Sequence, residues 1–412
     1  MSQEVKNLKV YKILDSNGYW AVEAQLWFGK QQQVKASLPL VTDSAVDEIS
    51  NLRQAGKVVK QITDIITTDL LEIEIEEDYL LVVDQLLLEL KKKHKGLLTP
   101  ATLLISLLAA RAGAQVAQQP LYDYLNRIYN LGQTVFTLPV PIFTLFNGGS
   151  YADTNLDFEE ILLVPLSKNK TSSVEKIANA HRVYQLLGQI LHQVGLDTDG
   201  GSQGGYAPNI DSTIKALDLT KQAITEAGFI VGEDMSLGLN IGSSRLYDQE
   251  SGQYIFRLDQ SRFITDTLIN LYREWLSEQP IVYLEDGLSP ADKKGWQSLT
   301  QQLSSELILA GDALFESQIT KLRQGLKNHV ANAGVVHLNT SNLQNLMEFV
   351  KLAKSHNYLL ILSHNYGETN DDFLTDLAVA SGADYIKAGS LTRGERTAKY
   401  NRLLAIAQSL NI

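Results

Sequence analysis

Ile281-Val282-Tyr283-Leu284-Glu285-Asp286, Leu307-Ile308-Leu309-Ala310-Gly311-Asp312, Gly334-Val335-Val336-His337-Leu338-Asn339, Leu359-Leu360-Ile361-Leu362-Ser363-His364 and Tyr385-Ile386-Lys387 form a series of apolar runs, each stopping on a polar group. Leu237-Gly238-Leu239-Asn240 stands ahead of them with the same pattern. The polar ends at 285, 312, 337, 364 and 387 lie 27, 25, 27 and 23 positions apart. That spacing is the length of one strand plus the helix that returns the chain to the next parallel strand. Uninterrupted apolar runs fit strands buried on both faces. Repeated in this way, they predict a closed (β/α) barrel, whose strand C-terminal ends share one face. Asn240, Glu285, Asp312, His337, His364 and Lys387 are therefore expected to meet at one mouth.

Working outward, the 412 residues exceed a barrel of about 250 and leave room for a second domain. A hydrophobic content of 44% with 20% charged residues is that of a globular enzyme-like chain. The net charge of −11 argues against a nucleic-acid partner or an anionic membrane surface, both of which call for a basic face. The absence of cysteine excludes disulfides, thiolate catalysis and cysteine-ligated zinc. Met1 to Lys6 contains no apolar run, and the apolar helix near Thr102–Ala110 is too short to span a bilayer before Arg111, so a cytoplasmic location is expected.

Residues 8 to 38 read as an antiparallel meander with turns at Ser16-Asn17-Gly18 and Gly29-Lys30. Helical patterning follows from Asp43, a candidate cap, to about Gln115, with Thr99-Pro100 opening the longest helix. The expected division is an α+β capping domain over 1–128 and a barrel over 129–412. In the barrel, Phe146-Asn147-Gly148-Gly149-Ser150-Tyr151 puts two glycines at a strand end, where a ligand can approach the backbone. Only one of the adjacent pair Glu159-Glu160 can point into a barrel mouth. The loop Gly200-Gly201-Ser202-Gln203-Gly204-Gly205 lacks the Gly-Lys-Ser/Thr ending of a nucleotide P-loop.

These motifs, in this order and over almost the whole chain, resemble enolase (phosphopyruvate hydratase). The resemblance rests on Asn147-Gly148-Gly149-Ser150, Gly204-Gly205 with Ala207-Pro208-Asn209, Glu285-Asp286, Gly311-Asp312, Ser363-His364 and Gly367-Glu368. Its most specific part is the ending, Ile386-Lys387, Gly389, Arg393, Glu395-Arg396 and Ala398-Lys399-Tyr400-Asn401. It implies an enolase-type (β/α)8 barrel whose first strands are not simply βα, an N-terminal α+β cap, and a homodimer or an assembly of dimers. It also implies Mg²⁺ on three strand-end carboxylates, which here are Asn240, Glu285 and Asp312. With a neutral amide at 240, the cation site is weakened by one charge, worth roughly 4 kcal/mol at about 4 Å and an effective dielectric of ~20.

The proton-handling positions differ too. The resemblance implies a lysine base where this chain has His337, and a glutamate acid where it has Gln203. Tyr151 stands at a histidine position, Ala313 follows Asp312 in place of an acidic residue, and Asn365-Tyr366 replaces a phosphate-binding arginine-serine. The lid stretch Pro39-Leu40-Val41-Thr42-Asp43-Ser44-Ala45 has no glycine. Tyr151, Glu160, His364 and Lys387 are the candidates for contact with a small carboxylate or phosphorylated ligand. The expectation is an enolase-like protein that is poor or inactive in dehydrating 2-phosphoglycerate and acts by binding or assembly, including pairing with a true enolase. The alternative is a Mg²⁺-dependent lyase or isomerase acting on a carboxylate substrate through His337 or Glu160.

Overall fold

The computed structural model describes residues 3–41, 47–166, 171–338 and 341–412. The cap expected at Asp43, and the lid stretch from Thr42 to Ala45, lie outside the described residues. Asp47 caps the first helix, Glu48–Gln61, through the N–H of Ser50. Two compact units emerge: residues 1–138 with 337–351 and 364–383, and residues 139–336 with 352–363 and 384–412.

The first unit holds the meander β1 (Gln3–Leu14), β2 (Trp20–Phe28) and β3 (Gln32–Leu38), with a short β4 (Glu74–Ile75) added on the far side of β1. Alternation along β2 buries Val22, Ala24, Leu26 and Phe28 on one face. That face is covered by the helix Thr99–Val116, which starts with proline in its first turn and is buried almost all round. Among the described residues no single helix is long and apolar enough to cross a membrane. Arg111, on this helix, makes a bidentate pair with Asp371 (2.7 and 2.8 Å), a third contact to Asp372 (2.9 Å) and a bond to the Lys35 carbonyl (2.6 Å). Asp371 also accepts the N–H groups of Ser37 and Phe373. The Ala-Ala-Arg-Ala motif thus ties the 364–383 segment to the meander.

The second unit is built on a closed eight-stranded barrel. Its strands in chain order are β5 (Val140–Asn147), β6 (Glu160–Pro165) and β7 (Met235–Asn240). An outlying three-stranded sheet follows, β8 (Tyr247–Asp248), β9 (Gln253–Phe256) and β10 (Ser261–Phe263). The remaining barrel strands are β11 (Ile281–Glu285), β12 (Ile308–Gly311), β13 (Ala333–Val336), β14 (Leu359–Ser363) and β15 (Tyr385–Lys387). All neighbours run parallel except β6, which is antiparallel to both β5 and β7. The five runs that open the sequence reading are β11 to β15, and Leu237–Asn240 lies in β7. The barrel floor is Ile142, Leu162, Val164, Tyr283, Ala310, Ala333, Val335 and Ile361. Tyr283 has room there because Gly238 faces it: a Cβ on Gly238 would lie 3.2 Å from that of Tyr283.

The Arg111 clamp yields a stability prediction. Burial works against ionisation of Asp371, but Arg111 outweighs it and holds the carboxyl below its ordinary range. The stability it confers is therefore present above about pH 4 and is lost as pH falls through the lowered value. Arg111→Met should cost about 3–5 kcal/mol in urea unfolding at neutral pH, because it leaves Asp371 without its cation. A loss below about 1 kcal/mol would show that the clamp behaves as a surface pair.

Candidate active site at the barrel mouth

Side chains two residues beyond the floor on each strand form the next inward layer, as the pleat requires. Floor residues Ile142, Leu162 and Tyr283 are thus followed by Thr144, Glu160 and Glu285, and Gly238 and Tyr385, paired in register with floor residues, by Asn240 and Lys387. Strand register puts Glu160 opposite both Asn147 and Asn240, and Asn240 opposite Glu285. Glu160 belongs to this layer although it begins its strand, because β6 runs the other way.

Lys387 holds this layer together. Its Nζ lies 2.7 and 2.8 Å from the two oxygens of Glu285 and 3.0 Å from Glu160 Oε2. Exposure of Lys387, Glu160 and Glu285 is 2%, 1% and 0%. Glu160 Oε1 accepts the Thr144 hydroxyl at 2.6 Å, and its Oε2 also accepts the Asn240 amide N–H at 3.0 Å. Glu285 accepts in addition from the Tyr283 hydroxyl. Burial alone would favour a neutral amine at Lys387, but Glu160 and Glu285 outweigh it and raise its proton affinity. Burial likewise opposes ionisation of Glu160, yet Lys387, Thr144 and Asn240 lower its pKa. Lys387 and Glu160 are therefore ion-paired at neutral pH, while burial raises the pKa of the Glu285 carboxyl with Lys387 acting against it.

The remaining expected residues divide between the two units. Tyr151 feels Glu159, Glu160, Asp312 and Glu285; burial, reinforced by these charges, raises its phenol pKa and keeps it a hydrogen-bond donor. Asp312 follows β12, and its N–H and that of Ala313 are both held by Asp286 at 3.0 and 2.8 Å. Gln203 is buried on a loop laced to β5 and to the segment after β15: its N–H reaches Asn147 Oδ1 at 3.3 Å and its carbonyl accepts from the Ser390 N–H at 2.8 Å. The glycines here serve close packing, since a Cβ on Gly205 would lie 2.9 Å from Thr144. His337 and His364 follow β13 and β14 directly and belong to the first unit, where His337 Nδ1 lies 2.7 Å from the His364 carbonyl oxygen. Facing a carbonyl oxygen, Nδ1 is the donor in that bond. On β14 the residue in phase with Ile361 is Ser363, so His364 opens the loop.

Two residues outside the expected site set, one of them the other member of the Glu159-Glu160 pair, stand near it. Glu159 accepts from the Ser150 hydroxyl at 3.1 Å and packs against Gly242, where a Cβ would lie 2.5 Å from its carboxyl carbon. Burial, then the neighbouring Glu160, raises its pKa to about 7. Arg245 lies over Gly149, with Nη1 2.4 Å from where a Cβ would be. Neither residue ends an apolar run, so the strand pattern carries no signal for them.

A divalent cation would need oxygens from Asn240, Glu285 and Asp312. Both Glu285 oxygens are turned to the Lys387 ammonium and Tyr283 takes a further lone pair. Asn240 presents its N–H to Glu160, since a carboxylate can only accept. Among the described residues no three acidic or histidine side chains gather as a metal site would require. As placed, the Glu285 carboxylate is engaged by Lys387 and the Asn240 amide N–H by Glu160.

A barrel with one reversed strand, carrying acids and a lysine at strand ends around one mouth, defines the class of (β/α)8 proteins that gather reactive groups at the C-terminal face. Residues 135–411 match the family description "Enolase, C-terminal TIM barrel domain". The enolase of Legionella pneumophila (strain Corby) is 36% identical over 98% of this chain and 96% of its own length. That of Ehrlichia ruminantium (strain Welgevonden) is 33% identical over 99% and 97%. The chain belongs to the enolase family.

Removing the buried cation gives a test of the network. In Lys387→Met, Glu160 and Glu285 lose their counter-charge, so their folded pKa values rise above the unfolded ones. Such groups stabilise at low pH and lose that stability as pH rises. The variant should be less stable than wild type by about 3–5 kcal/mol near pH 8, with the gap narrowing toward about pH 5. A deficit that does not change with pH would mean that Lys387 contributes packing rather than charge.

Proposed function

We propose that this enolase-family chain is poor or inactive as a phosphopyruvate hydratase and serves as a noncatalytic binding or assembly protein. The observation carrying this reading is Asn240, an amide at a position where the resemblance implies a metal-binding carboxylate, with its N–H given to Glu160 Oε2 at 3.0 Å. An aspartate carboxylate could not donate that bond. The substitutions at His337, Gln203 and Asn365 point the same way, since a positioned acid or base is worth about 10²–10⁴ in rate. An enolising enzyme that works through Glu160 is less well supported, because both oxygens of that carboxylate are committed. The proposal includes a homodimer or an assembly of dimers in the cytoplasm, with a true enolase as one partner and a small carboxylate or phosphorylated anion as ligand.

Purified protein in millimolar Mg²⁺ should convert 2-phosphoglycerate at least about 10⁴-fold more slowly than an ordinary enolase, after discounting for non-additive losses. Turnover within tenfold of an ordinary enolase would overturn the reading. It would also show that His337, Glu159 or another group replaces the missing acid and base in full.

A further inference from the structure

Beside the mouth, but outside the Lys387 network, the second unit carries a cavity of about 340 Å³ lined by Gly149, Asn155, Asp157, Arg245 and Arg257, among others. Its volume is at the small end of ligand pockets, roughly 300–1,000 Å³. Arg245 ends the 3-10 turn Ser243–Arg245 that follows β7, and Arg257 follows β9 directly. Two separate excursions of the chain therefore bring the two arginines to one hollow.

The walls are fixed by specific hydrogen bonds. Asn155 exchanges two bonds with Ile210, donating Nδ2–H to its carbonyl at 2.7 Å and accepting its N–H at 2.8 Å. The Asn155 N–H reaches Asn209 Oδ1 at 2.9 Å, and Thr154 donates to the Pro208 carbonyl at 2.6 Å. Asp157 Oδ2 accepts the Leu258 N–H at 2.9 Å, pinning the loop that carries Arg257. Gly149 gives the Arg245 guanidinium its place against the backbone. These contacts hold the hollow without using either arginine head group.

Among the described residues neither Arg245 nor Arg257 is held in a salt bridge or has an additional partner. Glu159 acts on Arg245 only through space, and Asp157 offsets one of the two positive charges lining the cavity. On a chain with a net charge of −11, two arginines whose forks make no hydrogen bond among the described residues line one hollow, where Glu159 and Asp157 offset part of their charge. The planar fork of arginine matches the oxygens of phosphate and carboxylate. We infer that the cavity between Arg245 and Arg257 is a binding site for the phosphate group of a small phosphorylated metabolite. This site goes beyond the functional reading above and does not depend on whether the barrel mouth is catalytic.

The test is a titration of the full chain with inorganic phosphate at low ionic strength, followed by calorimetry and by the rise in melting temperature. Wild type should show saturable binding, and Arg245→Gln or Arg257→Gln should each weaken it about tenfold or more, since each removes charge-assisted bonds. Arg182→Gln, which alters an exposed arginine elsewhere on the second unit, should bind as wild type does. Melting curves without phosphate should match for all four proteins, because neither pocket arginine is used in the fold. Absence of saturable binding in wild type would overturn the inference. So would binding that survives both pocket substitutions, because the anion would then sit elsewhere.

Discussion

Three charges with almost no access to water, the Lys387 ammonium and the carboxylates of Glu160 and Glu285, set the terms for everything above the barrel floor. Isolated, each would carry a desolvation cost of several kcal/mol; together, with Thr144, Asn240 and Tyr283 filling the remaining lone pairs, they form a satisfied set. The reversed strand β6 brings Glu160 into this layer, and Gly238 makes room for the ring of Tyr283, whose hydroxyl reaches Glu285. The constraint also bears on chemistry. A carboxylate already holding a buried ammonium is a poor ligand for a second cation and a poor base.

Seen this way, the neutral amide at 240 is part of the same arrangement. An aspartate there would set a third carboxylate against Glu160 Oε2, with only Lys387 to compensate; the amide donates a hydrogen bond instead. The enolase scaffold is kept through its strand spacing, its Asn-Gly-Gly turn and its Arg111 clamp.

Much of this was legible in the sequence because a barrel writes its periodicity into the chain. The polar ends at Glu285 and Lys387 are the last residues of β11 and β15, and Asp312 follows β12 directly. Other features depend on placement that spacing does not encode. That Lys387 bridges Glu160 and Glu285 follows from strand register and from the direction of β6. His364 closes an apolar run, yet pleat phase gives the inward position to Ser363. Glu159 and Arg245 lie in irregular segments, and their proximity arises from backbone packing at Gly149 and Gly242. The short β4 also went unseen, since two residues carry no alternation to read.

The central claim is that Lys387 does the work of a cation at this mouth, and calorimetric titration of the wild-type chain with Mg²⁺ at low ionic strength tests it most directly. The account predicts no saturable binding below about 10 mM, because the ligand oxygens are already held by an ammonium. A dissociation constant of about 0.1 mM or tighter, lost on Asp312→Asn, would contradict it: the carboxylates would then be free to leave Lys387 for a metal.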